Sequence, residues 1–195
     1  MRIIAGTWRG RRLESPDGRG TRPMMDRVKE AIFSVLAPWL EGADVLDLFA
    51  GTGGLGLEAL SRGARSARFS EMGSSARKHL ENNVRALGAS ERAKVVGADA
   101  LRPSTWGAEP FDIVFLDPPF PMVRDLNTRR EVLSALEALA TSHLAPEGVI
   151  VLHVPRHALR ASELAPSLVA KEREYGAQSV WFVQFDEEYV AEEQA

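Results

Sequence analysis

The sequence predicts an α/β fold: a mostly parallel central sheet covered by helices, with an antiparallel hairpin at one edge and a small amino-terminal hairpin and helix ahead of it. Three observations lead there. From Asp44 to Val154 short apolar runs alternate with helical stretches, the pattern of strands joined by helical crossovers. The runs Ile113–Leu116 and Val149–Leu152 are apolar without alternation, as expected of strands buried on both faces. Near the carboxyl end, LVAKEREY and QSVWFVQF flank Gly176 and Ala177, which reads as a closing hairpin.

In chain order, RIIAG and RRLES are short strand candidates joined through Gly6–Gly10, and a helix is expected over Met24–Leu36 with Val28, Ile32, Val35 and Leu36 on one face. Asp26 falls in its first turn, where a carboxylate suits the positive end of the helix dipole. There follow ADVLDLFA as a strand, GLGLEALSRG as a helix, ARFSE as a strand, SSARKHLENNVRALG as a helix, then the strands AKVVGAD and FDIVFLDPP. REVLSALEALATSHL is the last helix and GVIVLHV the last strand before the hairpin. Between them PMVRDLNTRR is expected as a loop, either a lid offering Arg124, Arg129 and Arg130 to phosphate or a plain solvated segment. The chain divides into a basic extension over residues 1–40, a catalytic domain over 41–187 and a frayed acidic tail over 188–195.

Composition narrows the chemistry. In 195 residues there is no cysteine, which excludes disulfides, thiolate metal sites and thiolate attack on pyrimidine C6. His79, His143, His153 and His157 stand in no ligand register with a carboxylate, so no metal is expected. No apolar run approaches the roughly eighteen residues of a membrane span, so a soluble, cytoplasmic monomer is expected. The net charge of −3 is unevenly placed. Residues 1–29 carry eight basic side chains against three acidic ones, a balance of +5 that leaves −8 for the other 166 residues. A basic arm on an acidic body suits a protein that meets a polyanion with one end, although a lone charge run is also compatible with a solvated surface segment.

The first long strand runs into Asp47-Leu48-Phe49-Ala50 and then Gly51-Thr52-Gly53-Gly54-Leu55-Gly56, and Glu71 follows twenty residues after Gly51. Glycines here permit a sharp turn and close approach of a ligand to main chain, and an acid at that distance can accept ribose hydroxyls. Taken alone, the pattern also fits a dinucleotide site, or a glycine turn that only packs helix on strand. Asp47 and Asp99 favour another ligand. A carboxylate just before the glycine loop would repel a pyrophosphate but attract an ammonium, while Asp99, beside Ala100 after the third strand, can accept from an adenine amine. Three acids at three strand ends therefore suit S-adenosyl-L-methionine (AdoMet).

Asp117-Pro118-Pro119-Phe120 directly follows the strand FDIVFL. The two prolines restrict the backbone around Asp117, so its carboxylate and the Pro118 carbonyl form two fixed acceptors for one NH2 group. An aryl amine is a poor nucleophile because its lone pair is delocalised. Accepting both N–H bonds directs that lone pair toward an electrophilic methyl, and Phe120 offers a stacking face to an extruded base.

The combination resembles the Rossmann-like class I AdoMet methyltransferases with a D/N-P-P-[YF] motif. Over nearly the whole chain it is similar to the bacterial RsmD family of 16S rRNA guanine-N2 methyltransferases, through MRIIAGTWRGRRL, TRPMMDRVKEAIFSVL, DLFAGTGGLGLEALSRGA, DPPF and REYG…VWFVQF. The resemblance implies that Asp47, Phe49, Gly51, Thr52, Gly53, Gly56, Glu71, Asp99 and Ala100 face AdoMet and that Asp117–Phe120 face the guanine amine. It assigns Arg9, Arg11, Arg12, Arg22 and Arg27 to RNA, with 16S rRNA or an assembling small subunit as partner. Met72-Gly73 stands after Glu71 where a second acid is more usual, leaving Glu71 as the ribose partner. Adenine N6, a glutamine side chain or a non-catalytic role in RNA binding remain alternatives, since the two-acceptor device serves any planar amine.

Overall fold

The computed structural model of the chain describes residues 1–16 and 24–186. After helices α1 (Asp26–Val35) and α2 (Ala37–Leu40), strands and helices alternate as β1 (Asp44–Leu48), α3 (Gly56–Ser61), β2 (Ser66–Ser70), α4 (Ser74–Ala86), β3 (Ala93–Val96) and β4 (Phe111–Leu116). Next come α5 (Phe120–Arg124), α6 (Leu126–Ser142), β5 (Leu144–Pro155), β6 (Leu168–Tyr175) and β7 (Gln178–Phe185).

The sheet order is β3-β2-β1-β4-β5-β7-β6. β3, β2, β1, β4 and β5 are parallel, while β7 runs antiparallel to both β5 and β6, so the expected edge hairpin is present, turned by Gly176 at φ +65°. Chain order reverses between β1 and β4. There the crossover helices leave to opposite faces and open a crevice at the carboxyl ends of the strands, where such sheets bind ligands.

Two cores cover the two faces. On one, Val45, Phe69, Ile113, Phe115, Val151, Val180 and Phe182 meet α1, α3 and α4; on the other, Leu46, Val114, Leu116, Ile150 and Leu152 meet α5 and α6 through Val123, Val132, Leu136 and Leu139. Side chains two apart on a strand share a face, which fixes which core each strand residue joins.

The amino-terminal segment is part of the first core. Ile3, Leu13, Val28, Ile32, Phe33 and Leu36 are all buried within it, whereas Val35 is only partly buried. Its two arms pair through a single antiparallel bridge, Arg2 with Arg12, in place of two strands. A buried carboxylate holds it down: Glu58 of α3, 0% exposed, accepts from Ile4 N (2.7 Å) and Ala5 N (3.0 Å) and pairs with Lys29 (3.0 Å) and Arg62 (2.8 Å). At the tip, a Cβ on Gly6 would fall 1.8 Å from the Ser61 carbonyl oxygen, so only glycine allows that approach.

The segment after Phe120 is helical, not a loop. Asp125 caps α6 by accepting from Asn127 N (3.1 Å) and Thr128 N (3.0 Å), so that helix begins at Leu126, ahead of the expected Arg130. Arg129 is engaged by the Ala158 carbonyl and by Glu163 (3.2 Å) and does not face outward as a free phosphate ligand. Among the described residues no helix is long and apolar enough to cross a membrane. The expected tail over 188–195 lies outside the described residues.

Candidate active site

One row of polar side chains crosses the carboxyl edge of the sheet on the face of α1 and α3. Asp47 continues the inward series of Val45 on β1, Asp117 that of Ile113 and Phe115 on β4, His153 that of Val149 and Val151 on β5, and Gln178 that of Val180 and Phe182 on β7. Glu71, two residues beyond buried Phe69, adds the β2 member.

Asp47 is 1% exposed and accepts from Gly56 N at 2.8 Å. Burial pushes its carboxyl up to about 8, and the nearby charges of Asp117 and Glu71 add to the rise that the Gly56 N–H opposes. Such a group is neutral until a cation is brought to it. Phe49, next along, has φ +60°, a conformation a bulky residue adopts only where its surroundings enforce it. It turns the chain out of β1 into the glycine loop.

The glycines divide by what surrounds them. A Cβ on Gly51, at φ +56°, would meet nothing within 4 Å, so main chain there is open to approach. On Gly53 it would fall 2.5 Å from Leu80 Cδ1, and on Gly56 2.4 Å from Phe69 Cε1; these two are glycine because helix and strand pack against them. The Thr52 carbonyl accepts from Asn83 Nδ2 (3.0 Å), and the same buried Asn83 holds the backbone of Glu14.

Glu71 ties the loop to its own strand, with Oε2 accepting from Gly51 N (2.8 Å) and Oε1 from Gly73 N (2.6 Å); a carboxylate retains further lone pairs for hydroxyls. Asp99 accepts from Leu101 N (3.0 Å) and lies 3.4 Å from Arg102 Nε. The Ala100 carbonyl is taken by Trp106 Nε1 (2.7 Å), which ties Ala100 into the packing of the second core.

Asp117 donates its backbone N–H to the Leu48 carbonyl (3.4 Å) and so sits beside the exit of β1. Pro118 is buried and Pro119 exposed; the Pro119 carbonyl accepts from Met122 N (2.9 Å) as α5 begins. The Phe120 ring packs edge-on against His153, centroids 5.2 Å apart at 63°. His153, 4% exposed, lies with Nδ1 2.8 Å from Asp117 Oδ1 and Nε2 3.0 Å from Gln178 Oε1. Burial alone would depress the imidazole, but the hydrogen bond and charge of Asp117, with Gln178, hold it above its ordinary value. Neither His153 nor Gln178 was evident from sequence. The available signal was a histidine ending an apolar strand in the inward register.

The arginines are not gathered at this row. The hairpin tip is pinned to Ser61, the last residue of α3, and Arg11 donates to the carbonyl of Ala86, the last residue of α4 (3.0 Å). Arg9 and exposed Arg11 therefore lie toward the amino edge, while Arg12, bridged to Arg2, lies nearer α1. Exposed Arg27 is at the carboxyl edge, 3.8 Å from where a Cβ on Gly176 would stand. Arg22 lies outside the described residues. A groove of about 630 Å³ between the arm and α1 includes Arg9, and one of about 340 Å³ flanks α6; neither contains a residue of the polar row. Among the described residues no three His, Cys, Asp or Glu side chains converge as metal ligands.

Residues 1–184 match the model of the family described as Conserved hypothetical protein 95. The chain is 48% identical over 120 residues to Ribosomal RNA small subunit methyltransferase D of Escherichia coli, a match covering 62% of this chain and 60% of that protein's length. It is 34% identical over 185 residues to the putative rRNA methyltransferase YlbH of Bacillus subtilis, covering 92% and 96%. Among solved structures it superposes on the putative methyltransferase yhhF of Escherichia coli with a TM-score of 0.81 at 36% identity, covering 95% of this chain and 98% of that one, and shares its class I methyltransferase fold. The chain belongs to the family described as Conserved hypothetical protein 95, the RsmD-type proteins that its own motifs resemble.

Proposed function

We propose that the chain methylates the exocyclic N2 amine of a guanine in small-subunit ribosomal RNA with AdoMet as donor. The observation that carries this is the placement of Asp117-Pro118-Pro119-Phe120 at the end of β4, directly beside the β1 exit that holds Asp47 and the glycine loop. Relatives named as rRNA methyltransferases support the acceptor class.

The residues suit the donor. Buried Asp47 carries no cationic partner among the described residues and accepts an ammonium, which lowers its pKa as it binds. Gly51 leaves its main chain open, Glu71 offers its remaining lone pairs to ribose hydroxyls, and Asp99 stands to accept from the adenine amine. AdoMet supplies an electrophilic methyl group on a sulfonium. The chain's own work lies on the acceptor side. The Asp117 carboxylate and the Pro118 carbonyl take the two N–H bonds and aim the lone pair, and Phe120 stacks on the base. As positive charge grows on nitrogen, Asp117 stabilises it and stands ready to receive its proton. Arg12 and Arg27 meet phosphate near the site, and Arg9 and Arg11 meet it farther along the same molecule.

The test is incubation of the purified chain with labelled AdoMet and unmodified small subunits or their RNA, followed by nucleoside analysis. Label in N2-methylguanosine is expected. Label in another base or in protein would overturn the guanine assignment, and AdoMet binding with no label on any RNA would overturn the catalytic one.

A further inference from the structure

We propose that His153 is the positioning residue of the acceptor site: its Nδ1–H holds Asp117 Oδ1 so that Oδ2 is the oxygen presented to the amine, while its ring steadies Phe120 edge-on. The inference rests on the methyl-transfer reading of the DPPF segment and assigns a residue outside it.

Four observations converge. His153 continues the inward-facing series of Val149 and Val151 on β5 and is 4% exposed. A histidine there forgoes the burial that a valine would gain, so something specific must retain it. Both ring nitrogens are engaged, by Asp117 Oδ1 at 2.8 Å and by Gln178 Oε1 at 3.0 Å. With the Gln178 oxygen accepting, the ring is an imidazolium; with that amide turned over, it is neutral with its proton on Nδ1. Both assignments leave Nδ1–H donating to Asp117. Finally, the ring touches Phe120 as well, so one side chain contacts the first and last residues of the tetrapeptide.

The consequence is rotational. A carboxylate on a strand end turns about its Cβ–Cγ bond, and a lone pair aimed at a methyl group tolerates little of that freedom. Fixing Oδ1 removes the rotation and leaves Oδ2 without a hydrogen bond from the described residues. Electrostatics act in the same direction. The groups facing His153 are Asp117 from β4, Gln178 from β7 and Phe120 from α5, with the acids Asp47 and Glu71 farther along the row. A ring that donates from Nδ1 keeps Asp117 Oδ1 in the accepting role whichever way the Gln178 amide lies.

The experiment compares His153→Leu, His153→Asn and Asp117→Asn in the full chain. It measures kcat and KM on small subunits, AdoMet affinity by calorimetry, and the His153 titration by NMR. His153→Leu is expected to lower kcat by about 10²-fold, the loss that a misplaced reacting group produces, with AdoMet affinity within about twofold of the parent. His153→Asn, whose carboxamide N–H lies near the position of Nδ1–H, is expected to recover to within about fivefold. In Asp117→Asn the His153 titration is expected to move down. Parental kcat in His153→Leu, equal losses in a folded His153→Asn, or a His153 titration indifferent to Asp117→Asn would each overturn the proposal. A parent chain that methylates no RNA would instead overturn the functional reading, and the titration alone would then decide whether His153 holds Asp117.

Discussion

Asp47→Asn is expected to destroy AdoMet binding and yet stabilise the ligand-free protein at mildly alkaline pH. Asp47 is 1% exposed, and burial raises its carboxyl from 3.8 to about 8. In the unfolded chain it ionises near its ordinary value, so folding at neutral pH must take up a proton. For a group whose folded pKa is raised, the contribution to stability is full below the unfolded pKa and is lost as pH climbs, levelling off above the folded one. The slope between them is about 1.4 kcal/mol per pH unit, so from pH 5 to pH 8 the parent loses about 4 kcal/mol through this residue. Asparagine keeps an oxygen for the Gly56 N–H and does not titrate, but its own N–H donors, buried without partners, cost about 1–3 kcal/mol at every pH. The variant should therefore start below the parent at pH 5 and overtake it by about pH 8. Urea unfolding at unit pH steps from 5 to 9 gives the difference directly, with calorimetry for AdoMet. A difference that does not change with pH would refute the reasoning, since it would mean that Asp47 ionises normally inside the fold.

Asp117→Ala should lower kcat by several orders of magnitude while leaving AdoMet affinity nearly intact, because the group acts chiefly on the acceptor in the transition state; parallel kinetics and calorimetry decide it. Glu58→Ala strands buried Lys29 and two backbone N–H groups and should cost about 3–5 kcal/mol in denaturant unfolding; a cost under about 1 kcal/mol would show the cluster to be dispensable. Gly56→Ala drives a methyl into Phe69 and toward Asp47 Oδ2 and should lower stability by about 1–3 kcal/mol, measured by the same unfolding assay. Neutralising Arg11 and Arg12 together should weaken RNA binding and reduce the slope of log affinity against log salt by at most about two. An unchanged slope would leave the arm a purely structural role.

Much of the fold was legible because its strands announce themselves. Unbroken apolar runs such as Ile113–Leu116 occur where both faces are covered, and Gly176–Ala177 marked the hairpin turn. The DPPF segment and the glycine loop were legible for a related reason, since their residue types are costly anywhere but at a turn or a site. What escaped was pairwise. His153 and Asp117 are 36 positions apart, and only the β4–β5 register brings them together. The start of α6 was hidden because its first turns, Leu126–Arg130, carry polar residues and exposed Leu126, so the apolar period begins at Val132. Lys29 was invisible as a core residue because pattern assigns lysine to solvent, yet the Glu58 carboxylate on neighbouring α3 makes its burial tolerable. Within the glycine motif the structure adds a second requirement that spacing alone does not show: Gly53 and Gly56 stand against packed side chains, while a Cβ on Gly51 would meet nothing within 4 Å.

β7 runs against its neighbours, and this reverses what it delivers to the working edge of the sheet. Parallel strands bring their last residues there; β7 brings its first, Gln178, together with the turn before it, and Arg27 of α1 stands beside that turn. A two-residue connection, remote in sequence from the glycine loop, thus stands beside the end of the polar row. The two residues that turn the hairpin therefore also set where Gln178 meets His153, so the reach of the polar row across the sheet depends on a turn far from β1 in the chain.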